Sequence, residues 1–144
     1  MQFTSFSDLK SKQPSLLTKG PLALIFAEDE VELDTTLRHH LDLGFASVFA
    51  FMPKAFTIAF DVADKIIRID HDTPTGLPMI AMVNEVAANA PGQWIYYCFN
   101  AEYLLFPFCE TRTIGEMLRF HEEERRDAML TYVVDLYAGD LYEH

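Results

Sequence analysis

The sequence predicts an α/β domain in which three layers, helix, sheet and helix, enclose a mostly parallel sheet. Short apolar runs alternate along the chain with amphipathic blocks, as they do in repeated strand–helix units. The blocks are long enough to form the crossover helices that parallel strands require. Half of the 144 residues are apolar. The chain can therefore bury a core of its own, and a disordered tail is excluded.

Five apolar runs are predicted as strands. Continuous apolar runs are typical of strands that are covered on both faces, as in the middle of a parallel sheet. The run that begins at Trp94 is the strongest candidate for a central strand. The five predicted strands are 22–27, 47–52, 65–69, 94–99 and 129–136.

Four helices are predicted between these strands. In the first, Leu33, Leu37 and Leu41 recur at every fourth position, and Gly44 stands where a helix commonly ends. The last begins with a capping box at Thr113, in which a threonine precedes a glutamate by three positions. The two others are predicted over 55–63, with a weaker pattern, and from Pro78 to Pro91.

Length and composition indicate one domain, since independent domains usually contain about 100–200 residues. Residues 1–20 are predicted as an N-terminal arm that ends in the turn signal Lys19-Gly20-Pro21, and residues 21–144 as a single α/β domain. The first 15 residues lack the apolar segment of a signal peptide. The two cysteines match no disulfide framework or zinc spacing. We therefore expect a reducing, cytoplasmic location.

The charge balance limits the classes of partner. Eleven basic residues stand against 22 acidic ones, which gives a net charge of −11. Such a surface repels the phosphates of nucleic acids and the anionic lipids of membranes. The longest apolar run is also too short to span a bilayer, which needs about 20 residues. We expect neither nucleic acid nor membrane as a partner, whereas a divalent cation held by carboxylates suits the composition.

Polar and acidic residues directly follow most of the predicted strands. If the strands are parallel, these groups gather at one edge of the sheet, where ligands of open α/β sheets bind. Clustered carboxylates repel one another unless a cation lies between them, so the pattern fits an Mg²⁺ or Mn²⁺ site. It also fits strand ends that simply meet water, and the spacing alone leaves both interpretations open. The groups are Glu28-Asp29-Glu30, Asp70-His71-Asp72, Asn100-Ala101-Glu102 and Asp135.

Several common site motifs are absent from the sequence. It contains no GxGxxG after the first strand, no GxxxxGK[ST] and no GxSxG, which removes dinucleotide-binding, P-loop and simple hydrolase sites. His39 and His40 are adjacent, so on a helix their side chains diverge by about 100° and cannot chelate one ion together. A hydrolase or phosphatase built on Asp70-His71-Asp72 stays open as a minor alternative.

Three blocks of the sequence carry a family resemblance. Residues 22–30 form an apolar strand that ends in acids, and residues 37–44 read Leu-Arg-His-His-Leu-Asp-Leu-Gly. Residues 94–107 follow a pattern of tryptophan, apolar residues and a polar triplet, Asn-Ala-Glu, at the place of a metal-binding Asp-x-Asp motif. Together with residues 108–112, these blocks resemble family-2-like glycosyltransferases of the GT-A type. The resemblance spans roughly residues 20–137.

This resemblance implies a GT-A-like, Rossmann-like half that binds a nucleotide-diphosphate sugar with the help of Mn²⁺ or Mg²⁺. By the same resemblance, Glu102 would coordinate the metal and Asn100 would assist. If the chain is active, the reaction would be glycosyl transfer, with the metal neutralising the leaving diphosphate. The residues implied for substrate binding are Glu28, Asp29, Glu30, Asp70 and Asp72.

The sequence departs from the family pattern at the places that carry the chemistry. The Asp-x-Asp motif reads Asn100-Ala101-Glu102, and an Asp-rich turn of the family is replaced by Phe-Met-Pro-Lys at 51–54. The sequence also ends where such an enzyme would continue into its acceptor-binding half. We therefore expect a truncated or degenerate domain that binds a nucleotide sugar without completing transfer alone.

The alternative is a non-catalytic α/β module that keeps the fold and self-associates, for example as a homodimer. The loss of charged residues at the motif positions motivates this hypothesis. The twelve phenylalanines and six tyrosines supply material for an apolar interface.

Overall fold

Five strands form one sheet, in which every pair of neighbours is parallel. The computed structural model describes residues 1–72 and 77–136. The strands are β1 (Gln2–Phe3), β2 (Leu22–Phe26), β3 (Ser47–Met52), β4 (Ile67–Asp70) and β5 (Ile95–Phe99). The helices are α1 (Phe6–Lys12), α2 (Leu33–Asp42), α3 (Phe60–Ala63), α4 (Leu77–Asn89) and α5 (Ile114–Glu123), with a 3₁₀ helix at Pro14–Thr18.

The spatial order of the strands is β1-β4-β3-β2-β5. Apolar side chains of α2, α3 and α5 pack on one face of the sheet, here called the α2 face. Those of α1 and α4 pack on the opposite face, here called the α4 face. The predicted α/β sandwich with a parallel sheet is therefore confirmed.

The two central strands are apolar on both faces because both faces are covered. All five residues of β2 and all six of β3 are buried. On the α4 face, the rings of Phe26 and Phe51 stack with centroids 4.8 Å apart. Each fully buried large side chain of this kind contributes about 1.5–3 kcal/mol to folding. The prediction that the Trp94 run is a central strand is wrong, since β5 lies at the edge of the sheet.

The N-terminal segment 1–20, expected as an arm, instead forms part of the domain. Its strand β1 pairs with β4, with Gln2 opposite Arg68. Phe3, Phe6 and Leu9 are buried in the core of the α4 face. Phe6 and Leu9 are three positions apart in α1 and share its buried side, which is the physical reason that this helix folds against the sheet. Within residues 21–144, positions 73–76 and 137–144 lie outside the described residues.

The four predicted helices are present, and the largest difference from their predicted ranges is over 55–63. There, only Phe60–Ala63 is helical, because the preceding loop is held by the guanidinium of Arg68. This group donates to the backbone carbonyls of Pro53, Lys54 and Phe56. α2 ends before Gly44, whose φ of +86° is the left-handed conformation that glycine accommodates. The capping box at Thr113 is present.

The predicted strand 129–136 is wrong, because these residues form no strand and leave their large apolar side chains exposed. The handedness of the connections gives a reason. In the β2–α2–β3 unit, the second strand lies nearer to β1 than the first, and the helix is on the α2 face. In the β4–α4–β5 unit, the second strand lies farther from β1, and the helix is on the α4 face. Both crossovers are therefore right-handed. A parallel strand beyond β5, reached through α5 on the α2 face, would form a left-handed crossover. About 98% of such crossovers are right-handed.

Within residues 1–72 and 77–136, no helix has both the length and the apolar character needed to cross a bilayer.

Candidate functional site

The carboxyl ends of β2, β3, β4 and β5 lie along one edge of the sheet, here called the carboxyl edge. Neighbouring strands are about 4.8 Å apart. From the strand order, the backbone after β4 therefore lies roughly 14 Å from the backbone after β5, three strands away. Asp70 and Asn100 are thus at opposite ends of this edge. Glu28, which follows β2, lies beside Asn100. Asp135 belongs to the exposed segment 129–136 and lies in no strand.

The strand order reverses between β2 and β5, and Asn100 bridges the two strand ends at this point. Its Oδ1 accepts a hydrogen bond from the backbone N–H of Glu28 at 2.9 Å. Its Nδ2 donates to Asp29 Oδ1 at 2.7 Å and to the carbonyl of Val31 at 2.9 Å. Asn100 is only 9% exposed. It therefore fastens the loop after β2 to the end of β5.

This geometry explains why an amide stands where the resemblance implies a carboxylate. The two acceptors that face Nδ2 need a donor, and an ionised carboxylate has none. An aspartate at this position would hold a second negative charge close to Asp29, which disfavours ionisation of both groups. Asn100 is thus suited to holding the loop. Its Oδ1 is already engaged, so it is poorly placed to supply a metal ligand.

The next two residues are also fixed by hydrogen bonds. Ala101 has a φ of +61°, in the left-handed region that costs a non-glycine residue energy. Its N–H donates to Thr36 Oγ1 at 2.9 Å, and this hydroxyl donates in turn to the carbonyl of Glu32 at 2.6 Å. The turn after β5 is therefore tied to the first turn of α2.

Glu102 points away from Asn100, onto the open side of β5. In the ladder with β2, the carbonyl of Trp94 and the N–H of Asn100 face β2. Directions alternate along a strand, so the backbone groups of Ile95, Tyr97 and Phe99 face outward. Glu102 Oε2 accepts the outward N–H of Phe99 at 2.8 Å. The carboxylate therefore caps the free edge of the sheet.

Glu30 holds two loops of the carboxyl edge together. Its Oε1 accepts hydrogen bonds from the backbone N–H of Thr57 and from the Thr57 hydroxyl at 2.9 Å. These bonds favour the ionised form, so the pKa of Glu30 is lowered, mainly by the backbone N–H of Thr57. Asp34 Oδ1 likewise accepts a hydrogen bond from the backbone N–H of Ala59 at 2.8 Å.

Asp70 is engaged at the other end of the edge. Its Oδ1 accepts from Arg68 Nε at 3.3 Å and from the Gln2 amide at 3.2 Å. The pair with Arg68 is mostly buried, with side-chain exposures of 13% and 14%. Asp70 therefore secures β1 and the arginine that orders residues 53–56. Glu28 and Asp72 are exposed, and the described residues form no hydrogen bond with their side chains.

The described arrangement does not fit a cation held between Asn100 and Glu102. The Asn100 side chain binds on the β2 side of β5, and the Glu102 side chain binds on its open side. Among residues 1–72 and 77–136, no group of three or more histidine, cysteine, aspartate or glutamate side chains is placed to hold a metal ion. Two shallow depressions, of about 420 and 230 Å³, lie at α2 with α3 and at the start of β5. Neither includes the acidic residues of the carboxyl edge.

His40 and Cys98, buried at the centre of the α2 face, resemble a catalytic histidine–cysteine pair but are not activated. His40 donates from Nδ1 to the carbonyl of Thr36 at 2.8 Å, and its Nε2 lies 3.9 Å from Cys98 Sγ. Burial lowers the pKa of His40 to about 4 and raises the pKa of Cys98 to about 12. Both groups are therefore neutral at pH 7, and the thiol is not an activated nucleophile. Tyr96 stacks on the imidazole, 5.3 Å between centroids.

His39 and His40 serve different partners, as their adjacency predicts. His39 Nε2 lies 2.8 Å from the carbonyl of Leu104. His71, which the sequence placed between two aspartates, has its ring edge-on to Phe26 and Phe51. Burial is the main cause of its lowered pKa. With Asp70 bound to Arg68, the histidine is not paired with a carboxylate in the way that a hydrolytic base requires.

We expect Asn100→Asp to destabilise the protein by about 2–4 kcal/mol at neutral pH, because the variant loses two donated bonds and faces Asp29. The loss should shrink below about pH 4, where the new carboxyl can be protonated and donate again. Urea unfolding as a function of pH measures this. Asn84→Asp, at an exposed position of α4, is the control and should stay within about 0.5 kcal/mol of the wild type. An equal effect of both substitutions would contradict the bridging role.

Protonation of His40 should reduce stability in mild acid. The pKa is about 4 in the folded protein and 6.5 in the unfolded chain. The unfolded state therefore binds the proton first, and stability is lost as pH falls from about 6.5 to about 4, by at most about 3 kcal/mol. His71, whose pKa is also lowered, adds to this slope. His40→Gln should flatten the slope, because it removes the buried titrating group. A wild-type stability that is constant from pH 6.5 to 4.5 would refute the assignment.

Comparison with protein-family models, with curated proteins and with solved structures finds no match to this chain. The fold and the hydrogen bonds of the carboxyl edge are therefore the basis on which a function can be argued.

Proposed function

We propose that the chain is a glycosyltransferase-like domain that binds a nucleotide-diphosphate sugar at the carboxyl edge. The observation that carries this proposal is the fixed junction at Asn100. Ligands of open parallel sheets bind where the strand order reverses, beyond the carboxyl ends of the strands. Here that point lies between β2 and β5, and three hydrogen bonds of Asn100 hold its loop in place. A preformed loop reduces the entropy lost on binding.

Glu28 and Asp29 are the residues that we expect to face the ligand. Both are exposed and lie in the loop that Asn100 orders. A carboxylate binds the paired hydroxyls of a ribose or sugar by accepting their hydrogen bonds. Glu30 and Asp70, which the resemblance also implied, are committed to Thr57 and Arg68 and act by holding the loops.

The negative charge of the carboxyl edge limits the ligands that can bind there. A bare diphosphate is repelled by neighbouring carboxylates, so a nucleotide sugar would bind here with Mn²⁺ or Mg²⁺ carried on its diphosphate. The proposal is limited to binding, since the described residues offer no activated base or nucleophile for transfer. Asp72, exposed after β4, lies too far along the edge to share an ion with Asn100 by the strand spacing.

Calorimetry with UDP- and GDP-sugars, each with and without Mn²⁺, tests this proposal. We expect heat of binding for one nucleotide, stronger with Mn²⁺. Glu28→Gln should weaken it about tenfold, since a hydrogen bond to a charged group contributes about 1.5–3 kcal/mol. Glu123→Gln makes the same chemical change at the exposed end of α5 and should bind as the wild type does. Glu102→Ala should also bind normally if its carboxylate only caps β5.

The absence of binding heat with every nucleotide would overturn the proposal. A loss of binding in Glu102→Ala but not in Glu28→Gln would instead favour the metal site that the resemblance implies.

A second candidate function is self-association through a non-catalytic module. The observation that favours it is the segment 129–136, here called the C-terminal segment. Five of its side chains, those of Leu130, Tyr132, Val133, Val134 and Leu136, are between 75% and 86% exposed. An exposed apolar run of this size is typical of an interaction site.

Sedimentation velocity of the intact chain over a range of concentrations tests self-association. We expect a concentration-dependent dimer. Added monovalent salt should strengthen it, because each copy carries a net charge of −11 and the two repel one another. A single monomeric species at all concentrations would eliminate this function.

A further inference from the structure

The C-terminal segment has the pattern of a strand, and it pairs with no strand among residues 1–72 and 77–136. Its sequence is Met-Leu-Thr-Tyr-Val-Val-Asp-Leu, rich in β-branched and aromatic residues. In an extended conformation, alternate residues share a face. The face formed by Leu130, Tyr132, Val134 and Leu136 is wholly apolar, and the exposure of these four side chains is at least 75%.

Within the part of the chain that the structure describes, the outer edge of β5 is unpaired. Among the described strands, β5 pairs with β2 alone. The backbone groups of Ile95 and Tyr97 face the open side, by the ladder directions given above, while the N–H of Phe99 is capped by Glu102. Tyr97 is 50% exposed beside this edge. A guest strand can therefore pair at Ile95 and Tyr97, below the capped position.

The same chain is poorly suited to supply this guest as a parallel strand. Its α5 packs on the α2 face, so the connection from β5 would be left-handed. A segment from a second molecule carries no such restriction, because no covalent connection joins it to the β5 that it meets.

We propose that the C-terminal segment of one copy adds to β5 of a second copy, and that two copies exchange these segments reciprocally. This inference rests on the self-association candidate and specifies its contact. Reciprocal exchange closes the assembly as a symmetric dimer.

The area available matches what such a dimer needs. Stable interfaces bury about 1,200–2,000 Å² in total. In a reciprocal exchange this area divides over two segments and two receiving edges, so each segment must supply about 300–500 Å². Tyr132 is 81% exposed, and a tyrosine side chain offers about 150–250 Å² when it is buried. With three further apolar side chains on the same face, the segment meets the requirement.

Tyr97→Pro tests the receiving edge by sedimentation velocity. Proline removes the outward N–H and leaves the inward ladder to β2 intact, and such outward positions of edge strands tolerate proline. We expect the dimer to be lost. Tyr97→Thr keeps the N–H and should still dimerise, although with reduced affinity because the ring is absent.

Val134→Asp tests the added segment without risk to the fold, because Val134 is 75% exposed. We expect the dimer Kd to rise at least about tenfold. Phe60→Asp is the matched control, since Phe60 is also exposed, at 83%, and lies in α3, which connects β3 to β4 away from β5. It should dimerise as the wild type does. In the wild type, hydrogen exchange should show protection of the Tyr97 amide that increases with protein concentration.

A dimer that survives both Tyr97→Pro and Val134→Asp would overturn the proposed contact while leaving self-association intact. A wild type that is monomeric throughout would overturn both. Nucleotide binding is measured separately and is not expected to change in either variant.

Discussion

The pairing of β2 with β3, two strands that are apolar on both faces, is the constraint on which the rest of the structure depends. Because neither face can meet water, helices must cover the sheet on both sides. Right-handed connections then decide which helix covers which face and in which order the strands lie. The carboxyl ends of four strands are thereby brought to one edge, and the acidic loops follow. The same rule disfavours the C-terminal segment as a parallel strand beyond β5.

At the carboxyl edge, several of the acidic residues hold backbone amides. Glu30 binds the amide of Thr57, Asp34 that of Ala59 and Glu102 that of Phe99. Strand and loop ends present unpaired N–H groups, and a carboxylate satisfies them with a strong, charge-assisted bond. A local excess of acid is therefore compatible with a well-ordered edge. Within the described residues, the carboxylates of Glu28 and Asp72 form no such bond.

The sequence is sufficient to predict the fold class, because continuous apolar runs and the period of Leu33, Leu37 and Leu41 are local signals. It is also sufficient to predict the capping box at Thr113 and the helix end at Gly44, where the chemistry depends on adjacent residues. Strand order is not local. The central position expected for the Trp94 run was wrong because its apolar character reflects cover by α4 and by residues 104–109, which any strand of the sheet can have.

The site was only partly predictable for a similar reason. The strand ends correctly indicate which residues lie at the carboxyl edge, but not which of their atoms are already bonded. Asn100 is the clearest case. Its neighbours in sequence do not reveal Asp29 and Val31 as acceptors about seventy positions away. The segment 1–20 was wrongly expected as an arm because Phe3, Phe6 and Leu9 are separated by polar residues, and their burial depends on contacts with distant parts of the α4 face.

The carboxylate of Glu102 has a consequence for the solubility of the chain. Exposed sheet edges can recruit identical strands without limit and so start fibrils. On β5, one negative charge occupies the outermost amide, and only two outward-facing residues remain below it. A long, flat strand added to this edge would contact the Glu102 carboxylate before it could pair along the whole of β5. The edge can therefore pair with one short strand, whereas repeated addition of strands along it is disfavoured.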